Sequence, residues 1–126
     1  MTDEIDKSDL RAPDYAGHMI QACGRILDYT SGVTLDRFMA DSMIQDAVLR
    51  NIEILGEATR NLLDCVPNLQ AIYPDVPWID IYGMRNRVTH AYSFINLELV
   101  WKVAVENVPE LRGQIVKVLG ELQSKE

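Results

Sequence analysis

Residues 42–66 read SMIQDAVLRNIEILGEATRNLLDCV, and within them Ile44, Val48, Ile52, Leu55, Thr59, Leu62 and Val66 recur every three or four positions. That spacing predicts an amphipathic α-helix, because 3.6 residues per turn bring positions i, i+3, i+4 and i+7 to one face. Ser42 with Gln45 matches a capping box, which opens the helix. Leu49, Ile54, Ala58 and Leu63 widen the apolar face beyond what one neighbour covers. This helix therefore belongs either at the centre of a bundle or partly against a second subunit.

The flanks keep the same period. Upstream, Tyr15, Met19, Ile20, Cys23, Ile26 and Leu27 predict a helix over about Pro13 to Tyr29, with Pro13 suited to its first turn. Thr30-Ser31-Gly32 is a stop, and Thr34 with Asp36 opens a short helical turn carrying Leu35, Phe38 and Met39. Downstream, Pro67, Pro74 and Pro77 mark an irregular connection, after which Trp78, Ile79, Tyr82 and Met84 predict a short helix ending near Thr89. Asn96 with Glu98 starts a last long helix that runs through Leu97, Val100, Trp101, Ala104, Val108, Leu111, Ile115, Val118 and Leu122, with Pro109 kinking it rather than erasing the pattern. No segment alternates with period two, and there is no Asn-Gly hairpin, Gly-rich phosphate loop or internal repeat. The expected fold is all-α, an up-and-down bundle of four to five helices.

A chain of 126 residues is long enough for one domain with a core and too short for two, so residues 1–126 are assigned to a single helical domain with flexible ends at about 1–11 and 123–126. A quarter of the residues are charged and no long apolar run occurs, which indicates neither a transmembrane helix nor a signal peptide; a cytoplasmic protein with no membrane contact is expected. Cys23 and Cys65 lie in helix-patterned apolar stretches without a Cys-x-x-Cys pair, so both are expected as reduced core thiols, with no metal and no cofactor. A net charge of −7 argues against indiscriminate nucleic-acid binding, which rests on many Lys and Arg contacts to phosphates. DNA is not expected as a substrate, and RNA must bind locally if it binds.

One window offers such a place. Residues 81–97 are the longest stretch without Asp or Glu, and Gly83-Met84-Arg85-Asn86-Arg87-Val88-Thr89-His90-Ala91-Tyr92 puts an arginine, a histidine and a phenol within eight residues. Imidazole exchanges a proton near neutral pH, and a guanidinium stays charged and grips phosphate with paired donors. Those are the parts RNA cleavage needs. The ribose 2′-hydroxyl is an internal nucleophile, so what is missing is proton transfer and stabilisation of the phosphoryl charge, and neither requires a metal. Two proton transfers call for two groups, hence a site paired across a dimer or help from Tyr92 or Asn86. Five positions along a helix rotate by about 140°, so Arg85 and His90 converge only if the helix ends between them. Val88-Thr89 offers a place for that end, after which His90 and Tyr92 share a side. The plainer reading is that Arg85 pairs with Glu53 or Glu57 on the neighbouring helix, and spacing alone does not choose.

Taken with its surroundings, the window resembles the HEPN domains, and within them the HepT-like toxins of HEPN/MNT toxin-antitoxin pairs. Arg85, His90 and Tyr92 match the signature Arg-x4-His-x-Tyr, with Asn86 after the arginine as in the family. Phe38 to Ala47, Ile54-Leu55-Gly56-Glu57-Ala58, Pro77-Trp78, Leu99-Val100-Trp101 and Pro109-x-Leu111 look like further landmarks. The resemblance implies a metal-independent endoribonuclease toxin that acts as a homodimer, its two motif copies lining a shared cleft. It implies that Arg85 holds or activates the scissile phosphate, that His90 is general acid or base, and that Asn86 orients one of them. It also implies a partner, a small nucleotidyltransferase antitoxin that adds AMP to the motif tyrosine, here Tyr92. Bulk and negative charge at the mouth of a cationic site would block and repel RNA.

Other residues carry two readings. Glu57 is a structural partner that orients Arg85, or a group in direct proton transfer; Arg87 contacts RNA or is a solvated helix residue. Gly56 is expected to permit close helix packing. His18 has no motif around it and sits at a surface-compatible position. Trp78, Trp101, Tyr82 and Tyr29 are expected as core anchors rather than base-stacking platforms. The alternative to the enzyme is a non-catalytic helical dimer that binds a nucleotide or a protein partner, with Arg85 and His90 only structural.

Overall fold

A computed structural model describes residues 11–91 and 94–124. Among them every regular element is helical: α1 (Ala12–Thr30), α2 (Leu35–Ala40), α3 (Ser42–Cys65), α4 (Leu69–Ile72), α5 (Trp78–His90), α6 (Leu97–Lys102) and α7 (Val108–Ser124). A π-helical turn, Val103–Asn107, joins α6 to α7, so these run as one long helix and four long helices carry the bundle. None of them is long and apolar enough to cross a membrane.

Local chemistry explains the boundaries. The Asp14 carboxylate accepts from the Arg11 N–H at 2.8 Å and opens α1, with Pro13 in the first turn. Gly32, at φ 72°, turns the chain away after it, a conformation that L side chains resist. Thr34 caps α2 by accepting from the Arg37 N–H at 3.2 Å, and Asn96 caps α6 by accepting from the Leu99 N–H at 3.2 Å. At α3 the expected capping box does not form. Asp41 is the cap instead, its Oδ1 accepting from the N–H groups of Met43 and Ile44, each at 3.1 Å. Gln45 turns the other way and donates to the carbonyls of Phe38 and Met39, satisfying the frayed end of α2. The π turn sits immediately before Pro109, which has no N–H to give the preceding turn; widening the helix there accommodates the ring without ending it.

The buried side chains form one cluster. Helix α3 is central, packed on α1 along one side and on α5 along the other, while α1 also packs on α7. Leu49 and Ala58 are buried within this chain, so the width of the α3 face is used mainly by its own neighbours. Phe38, Met19, Ile26 and Leu62 are fully enclosed, each contributing roughly 1.5–3 kcal/mol by burial. Trp78 is a core anchor whose Nε1 donates to the Tyr73 carbonyl at 3.0 Å, and Trp101 tilts against Phe38 at 5.2 Å between centroids.

Three expected core positions lie elsewhere. Cys65 is exposed in the last turn of α3, although Leu62 before it is buried and Val66 after it packs on the core. Tyr29 is 40% exposed near the end of α1, and Tyr82 is half-buried. Cys23 is the enclosed thiol, pushed up to about 12 by burial against a weaker opposing pull from Arg112.

Candidate active site

Helix α5 leans on α3 and presents Trp78, Ile81 and Val88 as its buried positions. These stand at i, i+3 and i+10, and the position that completes the stripe, i+7, is Arg85. A guanidinium thus occupies the place of a core side chain. Its stem lies over Gly56, the one point of α3 without a Cβ at that height. The side chain is 23% exposed, and its head makes three contacts: Nη2 donates to Glu57 Oε2 at 3.3 Å, Nη1 donates to Asn86 Oδ1 at 3.1 Å, and the group lies 5.9 Å from the Tyr82 ring centroid. Of the two carboxylates offered by the sequence, Glu57 is the partner.

The helix does not end between Arg85 and His90. It continues to His90 itself, so the two side chains leave α5 about 140° apart. The reason is local: the N–H of Ala91 still bonds back to the Arg87 carbonyl at 2.9 Å, closing the last turn over the β-branched pair. His90 is exposed and stands four residues after Asn86, one turn above it on the same face. Asn86 therefore touches Arg85 on one side and neighbours His90 on the other. Arg87 is exposed and faces a different space, a groove of about 460 Å³ that also has Ile79, Met84, Leu99 and Asn107 in its walls. Tyr92 lies outside the described residues.

His18, read from the sequence as a surface position without a motif, is at the surface, but its place beside Arg85 was not anticipated. It is exposed on α1 and lines, with Arg50, Glu53, Glu57, Asn61 and Arg85, a groove of about 400 Å³ beside the Arg85 head. The readable signal was on α3, where positions 50, 53, 57 and 61 form a polar stripe next to the apolar one. Among the described residues, no three His, Cys, Asp or Glu side chains are grouped so as to hold a metal ion.

This arrangement can be set beside known proteins. A sequence profile described as ribonuclease HepT-like matches residues 19–118. The chain belongs to the HepT-like ribonuclease family. The matched span includes Glu57, Arg85, Asn86, His90 and Tyr92, and stops one residue short of His18. A Methanocaldococcus jannaschii protein named "Putative RNase MJ0127" is 32% identical over 97% of this chain and 97% of its own length. A Thermococcus cleftensis protein named "Probable ribonuclease HepT" is 32% identical over 83% of this chain and 93% of its own. No solved structure matches significantly.

Proposed function

We propose that this chain is the endoribonuclease toxin of a HEPN/MNT toxin-antitoxin pair, working as a homodimer without a metal and silenced by AMP addition to Tyr92. Family membership supports the ribonuclease reading, and one observation carries it further: Arg85, alone among the charged residues of α5, sits on the core-facing stripe, held by Glu57 and Asn86. Taking a charged side chain from water into an interface is costly unless it is paired and hydrogen-bonded there, and side chains held in that way cluster at functional sites. Held at both edges, the guanidinium is aimed and still partly open to a phosphate.

In the proposed reaction His90 takes the proton of a ribose 2′-hydroxyl. The 2′-oxygen bonds to phosphorus, the bond from phosphorus to the 5′-oxygen breaks, and the leaving oxygen is protonated by a second acid, giving a 2′,3′-cyclic phosphate and a 5′-hydroxyl. Arg85 offsets the charge that grows on the phosphoryl oxygens, and proton transfer contributes about 10²–10⁴-fold. The divergence of Arg85 and His90 along one unbroken helix favours a site built by two copies, the arginine of one chain meeting the imidazole of the other. Ile79, in the first turn of α5, is 75% exposed and leaves apolar surface there for a second copy to cover.

Silencing would proceed by attack of the Tyr92 phenol oxygen on the α-phosphorus of ATP with loss of pyrophosphate, catalysed by the nucleotidyltransferase. The negative charge added two residues from His90 opposes RNA phosphates.

The test is RNA cleavage by purified Arg85→Ala and His90→Ala variants, each expected to lose activity at least a hundredfold while melting like the parent. If both variants cleave like the parent, the non-catalytic dimer is the better reading. Intact-mass measurement after co-expression with the nucleotidyltransferase tests the second claim, which fails if no AMP is added or if it is attached away from Tyr92.

A further inference from the structure

Besides Arg85 and Glu57, the groove beside the Arg85 head is lined by chemistry that the cleavage step does not use. Along α3, Arg50, Glu53, Glu57 and Asn61 stand at i, i+3, i+7 and i+11 and form its floor, with His18 of α1 on one wall and Arg85 of α5 on the other. Asn61 is only 9% exposed, and its Oδ1 has no hydrogen-bond partner. An unsatisfied buried carbonyl is costly, and a donor that reached it from the groove would relieve that cost. Glu53 is half-buried there and contributes a carboxylate that accepts only.

The mixture of charges narrows the ligand. Two guanidiniums and an imidazole attract an anion, while two carboxylates in the same groove oppose a bare one. The match is a molecule that joins an anion to N–H donors, which describes a nucleotide. Among the bases, guanine presents adjacent N1–H and N2–H donors that one carboxylate accepts together, whereas uracil offers a single N–H. We infer that this groove is a nucleotide subsite adjoining the scissile phosphate, in which Arg85 and His18 take phosphate and Glu53 and Asn61 take the donor edge of a base, guanine above the others. The inference rests on the ribonuclease reading for its place in RNA, and on the groove alone for its chemistry.

The two histidines make the test direct, since ring proton signals of His18 and His90 are the only imidazole signals in the spectrum and a His18→Gln variant assigns them. The full chain is titrated with the 3′-monophosphates of guanosine, adenosine, cytidine and uridine, and with inorganic phosphate. Guanosine monophosphate is expected to move the His18 signals and to bind about tenfold or more tightly than uridine monophosphate, the discrimination typical of one bidentate base contact. Glu53→Gln should bring the two within about threefold, by loss of that contact. Equal binding of all four nucleotides, inorganic phosphate binding as tightly as the guanosine nucleotide, a response confined to His90, or an intact preference in Glu53→Gln each overturns the subsite. Cleavage of a mixed-sequence RNA, run in parallel, separates the two readings. A parent protein that keeps the guanosine preference but cuts nothing removes the ribonuclease and leaves the subsite; one that cuts RNA with the same site preference before and after Glu53→Gln removes the subsite and leaves the ribonuclease.

Discussion

Gly56 and Arg85 meet across the α3–α5 interface so closely that a Cβ added at Gly56 would overlap Arg85 Cβ and Cγ and stand 3.5 Å from Arg85 Cα. The backbone of α5 must therefore shift for any larger residue. Gly56→Ala is expected to cost about 1–3 kcal/mol by overpacking, offset by roughly 1 kcal/mol of helix propensity. Cleavage should fall further than stability, because the displaced helix carries Arg85 with it. Thermal melting and RNA cleavage on one preparation check this; a variant that keeps full activity would show that the close approach does not position the guanidinium.

Glu57 holds Arg85 at 3.3 Å in a partly solvated pair, with side-chain exposures of 43% and 23%. Such pairs contribute about 0–1 kcal/mol, so Glu57→Gln should leave the melting temperature nearly unchanged. Loss of aim is another matter. Misplacement of a binding group by an ångström can cost on the order of 10²-fold, and a fall of roughly ten- to a hundredfold in cleavage is expected. Unchanged cleavage would assign the pair to the fold alone.

A composite dimer site makes a distinctive prediction about mixtures. Arg85→Ala and His90→Ala, each inactive alone, should regain about a quarter of parental activity when exchanged into mixed dimers. Half of the pairs are then mixed, and each mixed pair rebuilds one of its two sites. Mixtures as inactive as the separate variants would mean that Arg85 and His90 act from the same chain. Light scattering at micromolar concentration, where a monomer is the adverse result, supports the interpretation.

Tyr73 donates a hydrogen bond to Glu121 and so ties the connection before α5 to α7. Its phenol is pushed up to about 12, first by desolvation and then by the Glu121 carboxylate. The folded protein keeps this proton where the unfolded chain, at the ordinary phenol value of 10.0, loses it. Its contribution is therefore full below pH 10 and disappears as pH rises through 12. Tyr73→Phe should flatten the decline of unfolding free energy between pH 10 and pH 12 in urea titrations; an identical slope in the parent would place the loss elsewhere, Cys23 being the next group shifted in the same direction.

The helices themselves were readable because their signals are local. Apolar spacing on α1, α3 and α7, the stops at Gly32 and Pro67, and the cap at Asn96 each depend on residues within a turn or two of one another. Even so, the cap of α3 went to Asp41 rather than Ser42, since Gln45 had a better use at the end of α2. The candidate site was legible as residue types in a window. Its clues to geometry were Arg85 in register with Trp78, Ile81 and Val88, an arginine in an apolar stripe, and the polar stripe at positions 50, 53, 57 and 61 of α3.

By itself, then, the sequence determined an all-α chain, its HepT-like motif and the helix that bears it, because periodicity, capping and motif spacing are properties of neighbouring residues. Tertiary structure alone decided that Glu57 rather than Glu53 holds Arg85, that Gly56 makes room for it, and that His18 joins the same groove. Those relations connect residues 28 or more positions apart on separate helices, and they follow from how the helices pack, a quantity no local pattern encodes.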